Sequence, residues 1–451
     1  MAFALALARF GAVLVVSSVV GWVLAGRLFP LDRRFRWERL GWGLALGCGV
    51  LVAFVPLLLL VGARPGWVGF VALAFLLVGA SRRLAPLTLP SPPGGGRGEL
   101  LGDETTQCEL PLPAGEGWGE GRPERTLVSL LILVGVAVYA LRALTEPMWA
   151  NDFIAIWGLK GKTIFGAVGY PERLRSLEFA HPEYPLGLPL LYAGISFLTG
   201  RWDDHAMALI FPLFQVATLL VLFGWLRRRG TSPAVAGLAS ATVAWFEPLY
   251  SGFLAGMAEV PLSFGMLLFG VALVDSLDDS DGGALRRLAF AAALIAALKN
   301  EGLFLVVAGA ALALIFGGGR RGKVALAALV PALLVRALHL PWRSRVPLAD
   351  LDPGLFSAER VWDSLAAAAM LPGWPACAGL ALLLTLIALG DRIPAGNRLL
   401  LLVACAAAAY LVIPAFAVRG PAWLIETTLL RTTAALAPLA GAAVAVRFPG
   451  R

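Results

Sequence analysis

The sequence predicts an all-α, polytopic transmembrane bundle, and three observations predict it. Of 451 residues, 59% are hydrophobic and only 15% are charged, where ordinary soluble domains carry roughly 25% charged residues. Mean hydropathy is +0.80. Apolar runs of span length recur almost to the C-terminus, separated by short arginine clusters, which is the positive-inside pattern. The net charge of +8 is therefore carried by topology-setting clusters, and no nucleic-acid partner is expected. Cys48, Cys377 and Cys405 lie in apolar runs and Cys108 does not; none has metal-ligand spacing.

Taken in order, about thirteen spans are expected. Residues 1–83 hold the first three: 10–28, followed by Arg33, Arg34, Arg36 and Arg39, then 40–62 and 67–80, which return to Arg82 and Arg83. The first span is long enough to stay in the membrane rather than be cleaved as a signal peptide. Residues 84–125 are Pro/Gly-rich and polar and can neither span nor pack a core. LPSPPGGGRGE from Leu89 resembles LPLPAGEGWGE from Leu110, so this cytoplasmic insert reads as a degenerate duplication. Residues 126–451 form the core, with spans at 126–144, 205–226, 233–251, 260–275, 286–298, 303–316, 324–340, 373–390, 399–417 and 432–446. The apolar run 186–199 is short for a crossing, and treating it as re-entrant keeps Arg227, Arg228 and Arg229 cytoplasmic.

That parity puts two polar loops, 145–189 and 341–372, on the outer face. Asp152, His181, Glu183, Glu259, Lys299, Glu301, Arg343, Arg345, Arg419, Glu426 and Arg431 fall on the same side. Ionisable groups near membrane depth are functional suspects, and the set points to one polar cavity there. The basic clusters on the other side need no role beyond orientation. Within the first loop, 152–168 reads as an amphipathic helix, with Phe153, Ile154, Trp157, Gly161, Ile164, Phe165 and Val168 on one stripe and Lys160 and Lys162 off it. Such a helix suits the interface plane, beside a lipid-borne substrate.

Each candidate has two readings. Asp152 is a general base for an acceptor hydroxyl or an N-cap. His181, in HPEYPLGLP with Glu183, binds metal or substrate or simply belongs to a loop anchored by Tyr184. Lys299 and Glu301 in KNEG hold a phosphate and a sugar hydroxyl, or pair with each other across a tight turn. Arg431 takes a phosphate bidentately or snorkels to headgroups. Glu259 in GMAEVP is a weaker member of the same set. No P-loop, dinucleotide fingerprint, zinc helix or serine-nucleophile motif is present.

WANDFIAIWGLKGK, HPEYPLGLPLL, GMAEVP, LKNEGL and WLIETTLLRTTAALAP, in that order over 126–451, resemble the GT-C superfamily of polytopic glycosyltransferases, near its mannosyltransferase-like and aminoarabinose-transferase-like branches. The resemblance implies an outward-facing site in a bacterial inner membrane. It implies a polyprenyl-phosphate-linked sugar donor and inverting transfer to a lipid, glycan or protein acceptor. The acid of the first large outer loop, here Asp152, is the implied catalytic carboxylate. His181, Glu183, Glu259, Lys299, Glu301 and Arg431 are implied to bind substrate, and a divalent cation is left open. Asn151 precedes Asp152 where some relatives have a second acid, and Glu259 stands where aspartate is common. A phosphate leaving group needs positive charge more than a general acid, so one base with Lys and Arg suffices. The rival class is a non-catalytic permease or lipid-linked-sugar flippase, which calls for polar residues at both faces.

Overall fold

A computed structural model describes residues 2–29, 35–60, 65–84, 123–146, 148–166, 174, 181, 183–278, 282–339, 351–371 and 394–450. The insert (apart from its helical edges), the span expected at 373–390, and Arg343 and Arg345 lie outside the described residues.

Among the described residues the chain is helical, with two isolated bridges, Thr231 to Pro449 and Leu351 to Ala417. The helices are α1 (Ala2–Leu28), α2 (Arg36–Leu60), α3 (Trp67–Leu84), α4 (Pro123–Thr145), α5 (Gly158–Gly166), α6 (Gly187–Thr199), α7 (Asp204–Arg228) and α8 (Pro233–Ala244). They continue as α9 (Glu259–Asp278), α10 (Gly282–Leu298), α11 (Asn300–Phe316), α12 (Arg321–His339), α13 (Ala358–Met370), α14 (Pro394–Val412), α15 (Pro421–Ala434) and α16 (Ala437–Ala445).

Seven of these segments are long and apolar enough to cross a membrane, or eight if α15 and α16, bent by 44° at their junction, count as one span. The protein is a multi-pass membrane protein. The count of thirteen is not reached among the described residues, because several expected spans form short helices: α8 stops at Ala244 after 12 residues, and α11 has 17. Helix α9 is the axis, with 94% of its span window buried, and it is packed by α7, α10, α11, α14 and α16. Its apolar surface on all sides is what a helix at the centre of a bundle requires.

Helix α6 does not cross. At 1.5 Å per residue its 13 residues reach about 20 Å, short of a hydrocarbon core of about 30 Å. Its first turn lies at the Glu259 end of the bundle, and Tyr192 in its middle donates to the Gly256 carbonyl, three residues before Glu259. Gly187 abuts Ala297 at the end of α10, where a Cβ would come within 2.4 Å of the Ala297 carbonyl oxygen. Beyond the other flank, Trp202 packs on Phe165 and Tyr192. The re-entrant reading of 186–199 requires a helix of this shortness.

The expected helix at 152–168 forms as a π-turn, Phe153–Trp157, running into α5. Its polarity differs from expectation: Lys160 is 4% exposed, whereas Ile154 is exposed. Helix α5 packs along α6, so it is wedged against the bundle rather than floating at an interface. The amphipathic surface helix lies instead in the second loop, read from sequence as merely polar. There α13 leaves Trp362 69% exposed, and Arg360 anchors it by donating to the Ala415 carbonyl at 2.7 Å. An exposed tryptophan on such a helix fits the membrane interface.

Candidate functional site

Five of the seven sequence candidates form one continuous chain of ion pairs. Asp152 Oδ2 accepts from Arg431 Nη1 at 2.6 Å. Arg431 Nε stands 3.4 Å from Glu259 Oε1, which also accepts from Lys299 Nζ at 3.0 Å. Lys299 Nζ in turn is 2.8 Å from Glu301 Oε1. Four elements deliver these groups: the π-turn, α15, the first turn of α9 and the α10–α11 turn. Glu259 opens α9, where a carboxylate is favoured by the helix dipole. Lys299 has extended backbone between two helices. Gly302 lets the chain double back tightly there, since a Cβ would lie 2.1 Å from the Ile295 carbonyl oxygen.

Asp152 does not cap: it has helical dihedral angles and makes no side-chain capping bond, so its carboxylate is committed to Arg431. Lys299 and Glu301 form the mutual pair that was one reading of KNEG, with Glu259 as an additional partner. Exposure is lowest in the middle of the chain: Glu259 and Lys299 are buried, whereas the Asp152, Arg431 and Glu301 side chains are 23%, 19% and 17% exposed. The more open end of the network is Asp152, near the exposed side chains of Trp149, Ile154 and Phe253.

His181 and Glu183 form a separate pair next to the chain, Nδ1 to Oε1 at 2.9 Å. His181 adopts a left-handed φ of 49°. Tyr184 is stacked between the His181 ring at 4.9 Å and the Trp157 ring at 5.3 Å. Burial pushes the Tyr184 phenol well above its ordinary range, and the nearby Glu301 carboxylate adds to this. Lys160 Nζ donates to the His181 carbonyl at 2.6 Å, which explains its burial: the proline-constrained turn presents carbonyls that no helix satisfies. Arg336 joins the two parts, donating to Asn300 Oδ1 at 2.7 Å and to the Glu183 carbonyl at 3.4 Å. Sequence reasoning passed over Arg336, although a lone arginine in an apolar span is itself a signal.

Four carboxylates (Asp152, Glu183, Glu259, Glu301) face four cations (Lys160, Lys299, Arg336, Arg431), a formal balance of zero. A phosphate approaching Arg431 or Lys299 must therefore displace a carboxylate. Among the described residues no group of three or more His, Cys, Asp or Glu converges on a metal position, so the divalent cation left open by the sequence gains no ligand set there.

A second network lies at the other end of α9. Arg228 grips Glu38 bidentately at 2.7 and 2.8 Å and reaches Asp275 at 2.5 Å. Arg229 bridges Asp275 and Asp278 at 2.8 and 2.9 Å. Arg287 is 3.4 Å from Asp275, and Arg398 pairs with Asp278. Asp275 follows Glu259 by sixteen residues, about 24 Å along the helix. The arginines read as orientation signals alone are thus also clamps between helices, and buried ionisable groups occur at both ends rather than one.

No family model matches this chain, and no curated protein or solved structure matches it. The resemblance to GT-C transferases rests on the quoted residues.

Proposed function

We propose that the protein is a membrane glycosyltransferase that moves a sugar from a polyprenyl-phosphate donor to a lipid, glycan or protein hydroxyl. The observation that carries this reading is the Asp152–Arg431 pair at 2.6 Å, the more open end of a largely buried ion-pair chain and flanked by exposed apolar side chains. In the reaction, Asp152 accepts the acceptor hydroxyl's proton as its oxygen bonds to the anomeric carbon. The bond from that carbon to the phosphate oxygen breaks, its electron pair leaves with the phosphate, and the configuration inverts. Arg431 shifts from Asp152 toward the leaving phosphate, a role its partial exposure favours over Lys299. Lys299 and Glu259 hold Arg431 in place, while Trp149, Ile154 and Phe253 face the lipid that delivers the donor. The site works from the outer face of a bacterial inner membrane, the orientation the arginine clusters favour.

The second network favours a rival reading, a flippase or permease with polar groups at both ends of its path. Purified protein in nanodiscs and in liposomes, given a polyprenyl-phosphate sugar and a mixed acceptor extract, separates the two. The transferase releases polyprenyl phosphate and forms a glycosylated product in nanodiscs. Transbilayer movement of intact donor in liposomes without product would support the permease and contradict the proposal.

A further inference from the structure

At the level of Glu259 and one turn below it, three buried polar atoms have no hydrogen-bond partner: Glu259 Oε2 and Ser263 Oγ on α9, and the Tyr410 hydroxyl on α14. Unpaired buried polar atoms are uncommon in folded proteins and costly to maintain, so a cluster of them asks for an occupant. Their positions converge. Glu259 and Ser263 are four residues apart and share a helix face, which continues to Met266 and Gly270. A Cβ on Gly270 would lie 2.3 Å from Leu439 Cδ1 of α16 and 3.2 Å from Leu399 Cδ2 of α14, so at Gly270 this face lies against both α14 and α16. The helices run antiparallel, with Asp278 at the end of α9 paired to Arg398 near the start of α14. Eleven residues are three helical turns. Going back eleven from Gly270 reaches Glu259, and going forward eleven from Leu399 reaches Tyr410, so these two sit at one level. The Tyr410 hydroxyl is also within electrostatic range of Glu259, Lys299 and Glu301.

We infer that Glu259, Ser263 and Tyr410 line a neutral hydroxyl-recognition subsite between α9 and α14, which binds the sugar of the lipid-linked donor. This deepens the proposed function and rests on it. Two hydroxyls that donate or accept and one carboxylate oxygen that accepts are the complement of a polyol, and they carry no surplus charge for a phosphate.

The test is binding to wild-type and variant protein in nanodiscs of farnesyl phosphate and of its mannosyl, glucosyl and arabinosyl esters, read by tryptophan fluorescence. Wild-type protein should bind at least one glycosyl ester more tightly than farnesyl phosphate. Tyr410→Phe, which keeps the ring and its packing, should reduce that preference by about 5- to 10-fold, the worth of one hydrogen bond. Ser263→Ala should act in the same direction, and farnesyl phosphate binding should be unchanged by either. Equal binding of ester and bare phosphate by wild type, or a preference untouched by both variants, overturns the subsite while leaving the donor reading standing. Failure of all four probes to bind overturns both.

Discussion

At the residue scale, Glu259 is the hub, because one of its oxygens serves both Lys299 and Arg431. Glu259→Gln leaves buried Lys299 with Glu301 alone and half-buried Arg431 with Asp152 alone, and breaking a buried pair typically costs about 3–5 kcal/mol. The half-open Asp152–Arg431 pair is worth far less, about 0–1 kcal/mol for exposed pairs. Melting in detergent should therefore fall sharply for Glu259→Gln and only slightly for Asp152→Asn; equal shifts would remove Glu259 from the hub position. The residues of this chain were legible one at a time, as ionisable groups in apolar surroundings. Their pairing was not, since Asp152 and Arg431 are 279 positions apart and nothing local ties them. Tyr410 and Ser263 escaped notice for a different reason: a neutral polar side chain in an apolar run looks like packing until its partner proves to be missing.

At the element scale, the hydrophobic runs located the helices but not their lengths. Helix α8 ends at Ala244, although the apolar composition runs on past it, because composition alone does not mark where a turn begins. The amphipathic reading of 152–168 found the helix and mistook its environment: Lys160 lies off the apolar stripe, yet turn carbonyls draw it inward. The re-entrant α6 makes a sharp prediction. Single cysteines at Glu183 and Arg201, on either flank of α6, should react with an impermeant thiol reagent from the same side of the membrane. A cysteine at Gly319, between α11 and α12, should react only from the other side. Labelling of Glu183→Cys and Arg201→Cys from opposite sides would turn α6 into a span and invert everything after it.

At the scale of the whole molecule, two ion networks are held about 24 Å apart by one buried helix, and they are expected to separate in function. The Arg228–Glu38–Asp275 clamp ties α2, α7 and α9. Arg228→Ala should lower melting by an amount matching about 3–5 kcal/mol while leaving the affinity of the remaining folded protein for farnesyl phosphate unchanged. A tenfold loss of that affinity at normal fold would give the second network a part in binding. The central claim is that Asp152 is the base, and one measurement meets it directly: turnover of a polyprenyl-phosphate sugar by Asp152→Asn protein in nanodiscs, with melting followed in parallel. Loss of a general base typically costs about 10²–10⁴-fold in rate, so the account predicts a folded protein with turnover reduced by that factor. Near wild-type turnover from Asp152→Asn would contradict it.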